Sequence, residues 1–178
     1  MKNIIVGSIG NSRLGQPILI WHPQKHELNK PLILGGVHGD EIEGVLLANE
    51  ILKFSIINNL DSPFTIIPTL NPDGFVFSKR QNYAGVDLNR NMPTKNWGEF
   101  ADNPKYYQGP SPASEPETQA LLLILDKLKP SIILSLHSYE TSLVLHNEPQ
   151  SLLNKIEALA INLKIQCADK MNYGISGS

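Results

Sequence analysis

Short apolar runs alternate with longer stretches whose apolar residues recur every three or four positions, and this alternation sets the expected fold. The runs at 3–9, 17–21, 31–34, 64–68 and 131–136 read as strands, several of them apolar on consecutive positions, as in a sheet covered on both faces. Between them, 40–55 places Ile42, Val45, Leu46, Ala48, Ile51 and Leu52 largely on one helical face. A second helix is predicted over 115–129, with Ser114 and Glu117 in capping-box spacing at its start and Pro130 at its stop. A third is predicted over 151–163. Strands alternating with helices predict an α/β fold: a mixed, largely parallel central sheet with helices on both faces. No linker divides the pattern, so one domain over 1–178 is expected. The stretch 71–114 is polar and punctuated by Asn71-Pro72-Asp73-Gly74, Gly109-Pro110 and Ser111-Pro112. So long an irregular segment in a compact domain is usually functional.

Composition narrows the partners. The chain has 178 residues, 41% hydrophobic and 18% charged, which is enough for one sizeable core. A net charge of -2 gives no electrostatic footprint for nucleic acid or an anionic membrane, which leaves a small-molecule or peptide ligand. The single Cys167 has no partner for an internal disulfide and reads as a buried, inert thiol. No run approaches the roughly 18 apolar residues of a membrane span, and the start of the chain does not read as a signal peptide, so a cytoplasmic setting is expected.

The candidate chemistry lies in His38, Glu41 and His137. His38 and Glu41 are three residues apart where a strand gives way to a helix, in the Gly-rich stretch Gly35-Gly36-Val37-His38-Gly39-Asp40-Glu41. His137 follows the apolar run at 131–136. Ligands of open α/β sheets gather at the carboxyl ends of strands, where all three converge in the expected fold. Two imidazoles and one carboxylate leave a tetrahedral zinc with a fourth position open for water, the design of a hydrolytic rather than a structural site. The spacing alone also fits a solvated His38, a helix-start carboxylate at Glu41 stabilised by the helix dipole, and a core His137. His22 and His26 share a 4-residue spacing, but Pro23 interrupts any helix that would align them, and they read as surface histidines.

Four motifs occur in one order: Gly36-Val37-His38-Gly39-Asp40-Glu41, Asn71-Pro72-Asp73-Gly74, Val86-Asp87-Leu88-Asn89-Arg90-Asn91 and His137-Ser138-Tyr139. In this order the chain resembles the zinc carboxypeptidases of the carboxypeptidase A superfamily. Gly85 to Asn91, together with Ser114-Glu115-Pro116-Glu117-Thr118-Gln119-Ala120-Leu121, is most similar to the bacterial murein peptide amidase branch. The resemblance runs from about Leu32 to the last residue. It implies that His38, Glu41 and His137 bind one zinc ion and that Asp87 holds the ring of His38. It further implies that Asn89 and Arg90 grip a substrate carboxylate, that Arg80 polarises the scissile carbonyl, and that Ser138 and Tyr139 flank the substrate. The implied substrate is a peptide with a free carboxylate, in this branch a murein tripeptide cut between γ-D-glutamate and diaminopimelate.

Other readings stay open: a general metallocarboxypeptidase, an acylamino-acid deacylase resembling aspartoacylase or succinylglutamate desuccinylase, or a non-catalytic zinc-dependent module that binds peptide carboxylates. The superfamily's general base is a glutamate on a late strand, beyond the Gly-Ser that Gly177-Ser178 resembles. Glu140 and Glu148 follow His137 too closely to stand on that strand. The expected domain is therefore incomplete at its C-terminal end, with the last strands missing.

Overall fold

The computed structural model describes residues 4–23, 28–58, 64–98, 103–138, 142–144 and 166–168. β1 (Ile4–Asn11) and β2 (Pro17–Pro23) pair antiparallel as a hairpin. β3 (Leu32–Leu34), α1 (Ile42–Ile57), β4 (Thr65–Ile67), α2 (Pro72–Phe77), α3 (Pro116–Leu128) and β5 (Ile133–Ser135) follow, with 3-10 turns at Leu88–Arg90 and Pro104–Tyr106. The strands form one sheet in the order β1-β2-β4-β3-β5. It is mixed: β3 pairs parallel with both β4 and β5, whereas β2 meets β4 antiparallel.

Alternation along the central strands divides the core between the two faces. Leu32, Leu34 and Ile67 pack with Ala120, Leu121 and Leu128 of α3 and with Ile18 and Ile20 of the hairpin. Ile33 and Ile66 point the other way and meet Ala48 and Leu52 of α1. The mixed sheet with a helix on each face is the architecture that the alternating pattern predicts.

Four local expectations are corrected. Ile42 and Leu46 of α1 are 45% and 59% exposed, because the buried line of that helix runs through Gly44, Val45, Ala48, Leu52 and Ser55, and 42 and 46 fall on its far side at 100° per residue. Ser114 and Glu117 form no capping box. Ser114 Oγ donates instead to Glu115, and buried Glu117 accepts from the backbone of Arg13 and the amide of Asn82. β5 is exposed along its length rather than covered on both faces. The stretch after Asn71 contains α2, whose start is signalled by Asn71 as N-cap, accepting from Gly74 N at 2.9 Å, and by Pro72 in the first turn.

Asp73 of that helix is buried and accepts from Ser12 Oγ at 2.7 Å and Leu14 N at 2.9 Å, tying the tip of the β1–β2 hairpin to α2. The chain divides into two compact units, Met1–Ser138 and a second that follows it. In the second, β6 (Ser142–Val144) and β7 (Gln166–Ala168) pair in parallel. The expected helix over 151–163, the side chain of Cys167, and His26, Tyr139, Glu140, His146 and Glu148 lie outside the described residues. No helix among the described residues is long and apolar enough to cross a membrane.

Candidate metal centre

The centre forms where the chain leaves two neighbouring parallel strands, β3 and β5. His38 lies four residues past the end of β3 and Glu41 is the N-cap of α1, yet the Glu41 carboxylate makes no capping bond and is free to face the imidazoles. Two close approaches require glycine. A Cβ on Gly39 would stand 1.9 Å from the carbonyl carbon of Gly74, so the His38 loop lies directly on α2, and Gly39 N bonds Lys79 O, just past that helix, at 3.0 Å. A Cβ on Gly44 would stand 2.6 Å from the Leu136 carbonyl oxygen. The first turn of α1 therefore sits tight against the chain leaving β5, and Glu41 reaches His137 across it.

Glu41 bridges the two imidazoles. Its Oε1 is 2.8 Å from His38 Nδ1 and its Oε2 is 2.7 Å from His137 Nδ1, with the ring centroids 4.9 Å apart. Ser138 N donates to Oε2 at 3.2 Å. One donor atom from each of His38, Glu41 and His137 falls within 4.8 Å of the others. Burial alone would raise the Glu41 carboxyl, but the hydrogen bonds from His137 and His38 outweigh it and hold the group well below the usual carboxylate range. For His38, burial opposes protonation, and the hydrogen bonds to Asp87 and Glu41 reverse this and raise the imidazole. The pocket thus favours positive charge between an ionised carboxylate and two ring nitrogens. Two imidazoles and a carboxylate are the donor set of hydrolytic zinc, so these residues fit that ion.

The outer nitrogens are also committed. His38 Nε2 lies 3.1 Å from Asp87 Oδ1, and His137 Nε2 lies 3.0 Å from Ser135 Oγ. Asp87 is fully buried and does three things at once. Its Oδ1 caps the 3-10 turn Leu88–Arg90 by accepting Asn89 N at 3.0 Å, the same oxygen meets His38, and its Oδ2 accepts Arg80 Nε at 2.9 Å. Burial opposes its ionisation, but the bond to His38 and the charges of His38 and Arg80 keep it lowered. Arg80 also brings Nη1 to 3.6 Å from Glu41 Oε1. Asn89 is half-buried, and Arg90 is 0% exposed with its guanidinium 5.6 Å from the Tyr106 ring centroid.

Residues 2–158 match the family model described as zinc carboxypeptidase. The chain belongs to that family. Among zinc carboxypeptidase relatives, murein peptide amidase A of Escherichia coli strain K12 is 36% identical over 140 residues, covering 72% of this chain and 57% of its own length. Murein peptide amidase A of Vibrio campbellii is 31% identical over 185 residues, covering 96% of this chain and 71% of its own. The crystal structure of murein-tripeptide amidase from Escherichia coli O157 superposes with a TM-score of 0.77 at 28% identity, covering 97% of this chain and 75% of that one. The chain thus spans little more than half the length of the first of these relatives.

Seven of the candidate residues, His38, Glu41, Arg80, Asp87, Asn89, Arg90 and His137, are brought together in this zinc carboxypeptidase chain. Ser138 joins them through Glu41, and its hydroxyl donates to Glu43. Three residues escaped the sequence reading. Ser135 stands two positions before His137, and the period of two along an extended chain, which puts i and i+2 on one side, was the available signal. Glu43 and Tyr106 carry no such signal, because their contacts are long-range.

Proposed function

We propose that this chain carries the metal-binding and carboxylate-binding residues of a zinc-dependent amide hydrolase that cuts a peptide bond next to a free carboxylate, in murein peptides the bond between γ-D-glutamate and diaminopimelate. The observation that carries the reading is Asp87. One buried carboxylate orients His38, pairs with Arg80 and caps the turn that bears Asn89 and Arg90. A metal site and an anion site that share one anchor move as a unit, which suits a substrate whose scissile bond lies a fixed distance from a carboxylate.

His38 and His137, through Nδ1, and Glu41, through its carboxylate, would hold one zinc ion. With zinc in place, a proton on Nε2 of each ring, facing Asp87 from His38 and Ser135 from His137, would leave the Nδ1 lone pairs for the metal, the tautomer that a ligand histidine needs. When bound, zinc supplies Lewis acidity toward the scissile carbonyl and lowers the pKa of water. Arg80, held by Asp87 beside Glu41, has its guanidinium placed to donate to a carbonyl oxygen as negative charge builds there. Asn89 and Arg90 take the substrate carboxylate, and the burial of Arg90 strengthens a charge-assisted pair through the low local dielectric.

Support for the murein substrate comes from the identity to the two murein peptide amidases. The test is incubation of the full-length protein with L-alanyl-γ-D-glutamyl-diaminopimelate and with blocked C-terminal dipeptides, each with and without EDTA. Chelator-sensitive release of diaminopimelate is expected. Cleavage of the dipeptides alone would replace the reading with a general carboxypeptidase.

A further inference from the structure

Arg80 and Arg90 arrive from different loops, yet both guanidinium carbons lie over one aromatic ring, that of Tyr106, at 5.2 and 5.6 Å from its centroid. Lys105 Nζ lies 5.5 Å from the same centroid. Arg80 is also paired with Asp87 Oδ2 at 2.9 Å, so the ring is a further contact for it, and the buried Arg90 shares that ring. The negative face of a tyrosine ring attracts such cations.

The backbone around Tyr106 is fixed to both arginine-bearing segments. Its 3-10 turn is capped by Asn103, whose Oδ1 accepts Lys105 N at 3.0 Å. Gln81, next to Arg80, donates its amide to Pro104 O at 2.8 Å and Lys105 O at 3.2 Å. On the other side, Asp87 N, at the start of the turn leading to Arg90, donates to Tyr107 O at 2.8 Å. The backbone on either side of Tyr106 is therefore tied to the Arg80 loop and to the Arg90 turn by separate hydrogen bonds.

We infer that Tyr106 is a positioning residue for substrate recognition: its ring, with Asp87 on the Arg80 side, sets the spacing and direction of the Arg80 and Arg90 guanidiniums, so that a peptide with a free carboxylate meets both in one preformed arrangement. This deepens the proposed function and rests on its assignment of Arg90 to the carboxylate. The role belongs to the π-face and not to the hydroxyl.

The test is calorimetric binding of L-alanyl-γ-D-glutamyl-diaminopimelate, and of the same tripeptide with its diaminopimelate carboxylates amidated, to metal-stripped full-length protein. Tyr106→Phe should bind the free acid within about twofold of wild type, and Tyr106→Leu about three- to thirtyfold more weakly. The amidated tripeptide should bind all three proteins alike. In 15N spectra the Nε–H signals of Arg80 and Arg90 should shift in Tyr106→Leu and stay in place in Tyr106→Phe, because ring currents act on them only while a ring is present. Should the leucine variant melt early, Tyr106→Met, which keeps the side-chain bulk, takes its place. Wild-type affinity in the leucine or methionine variant, or equal loss in the phenylalanine variant, would overturn the inference. If Arg90→Gln leaves the preference for the free acid unchanged, or wild type binds neither peptide, the carboxylate reading itself falls, whatever Tyr106 does.

Discussion

His38 is joined to Asp87 through Nε2 at 3.1 Å while its Nδ1 faces Glu41 at 2.8 Å, so one imidazole is committed at both nitrogens. The ring cannot turn without breaking a buried contact, and its orientation is set before any ligand arrives. The same Asp87 anchors Arg80 and the turn of Asn89 and Arg90, which makes it the joint between the metal ligands and the cationic residues.

Asp87→Asn keeps the shape but removes the charge and puts a donor where one of two acceptors stood. Zinc affinity, measured by competition against a fluorescent chelator, should fall by about 10- to 100-fold. Affinity equal to wild type would mean that Asp87 does not orient His38.

Gly44→Ala tests the close approach of α1 to the chain leaving β5. A Cβ 2.6 Å from the Leu136 oxygen forces a backbone shift, which should cost about 1–3 kcal/mol in denaturant unfolding and weaken zinc binding by parting Glu41 from His137. Gly7→Ala, where the new Cβ would meet only Ile20 Cγ2 at an ordinary 3.6 Å, is the control and should do neither. Equal behaviour of the two variants would show that the approach is not tight.

Much of this was readable from the sequence where a local rule had no competitor. The apolar runs located β1 to β5, and the His-x-x-Glu spacing with His137 at a strand end located the donor set, because strand ends and a helix start converge by topology. What was not readable depends on long-range contacts. The Ser114–Glu117 spacing suggested a capping box, but Glu117 is drawn into the interior by Arg13 N and Asn82. The six-residue α2 is too short for periodicity, so its Asn71 and Pro72 fall within a stretch whose pattern predicts irregular structure. Ile42 and Leu46 are apolar without facing the sheet, which no hydrophobic pattern distinguishes from burial. Tyr106 meets Arg80 and Arg90 across loops, so nothing near it in sequence announces the contact.

Burial raises the Glu117 carboxyl above its ordinary 4.5, with the nearby Glu115 charge adding to the effect. The folded chain therefore holds this proton at a pH where the unfolded chain has lost it, and the contribution of Glu117 to stability falls as pH rises from about 4.5 through the raised folded value. In Glu117→Gln the decline in melting temperature over that interval should flatten relative to wild type. An unchanged slope would mean that Glu117 does not carry its proton in the folded state.

The central claim is that His38, Glu41 and His137 hold one zinc ion. Elemental analysis of protein purified without chelator, run side by side on wild type and His137→Ala, tests it most directly. The account predicts about one zinc per chain in wild type and near none in the variant, with folding of both verified by circular dichroism. Equal zinc in the two proteins would contradict it and remove His137 from the site.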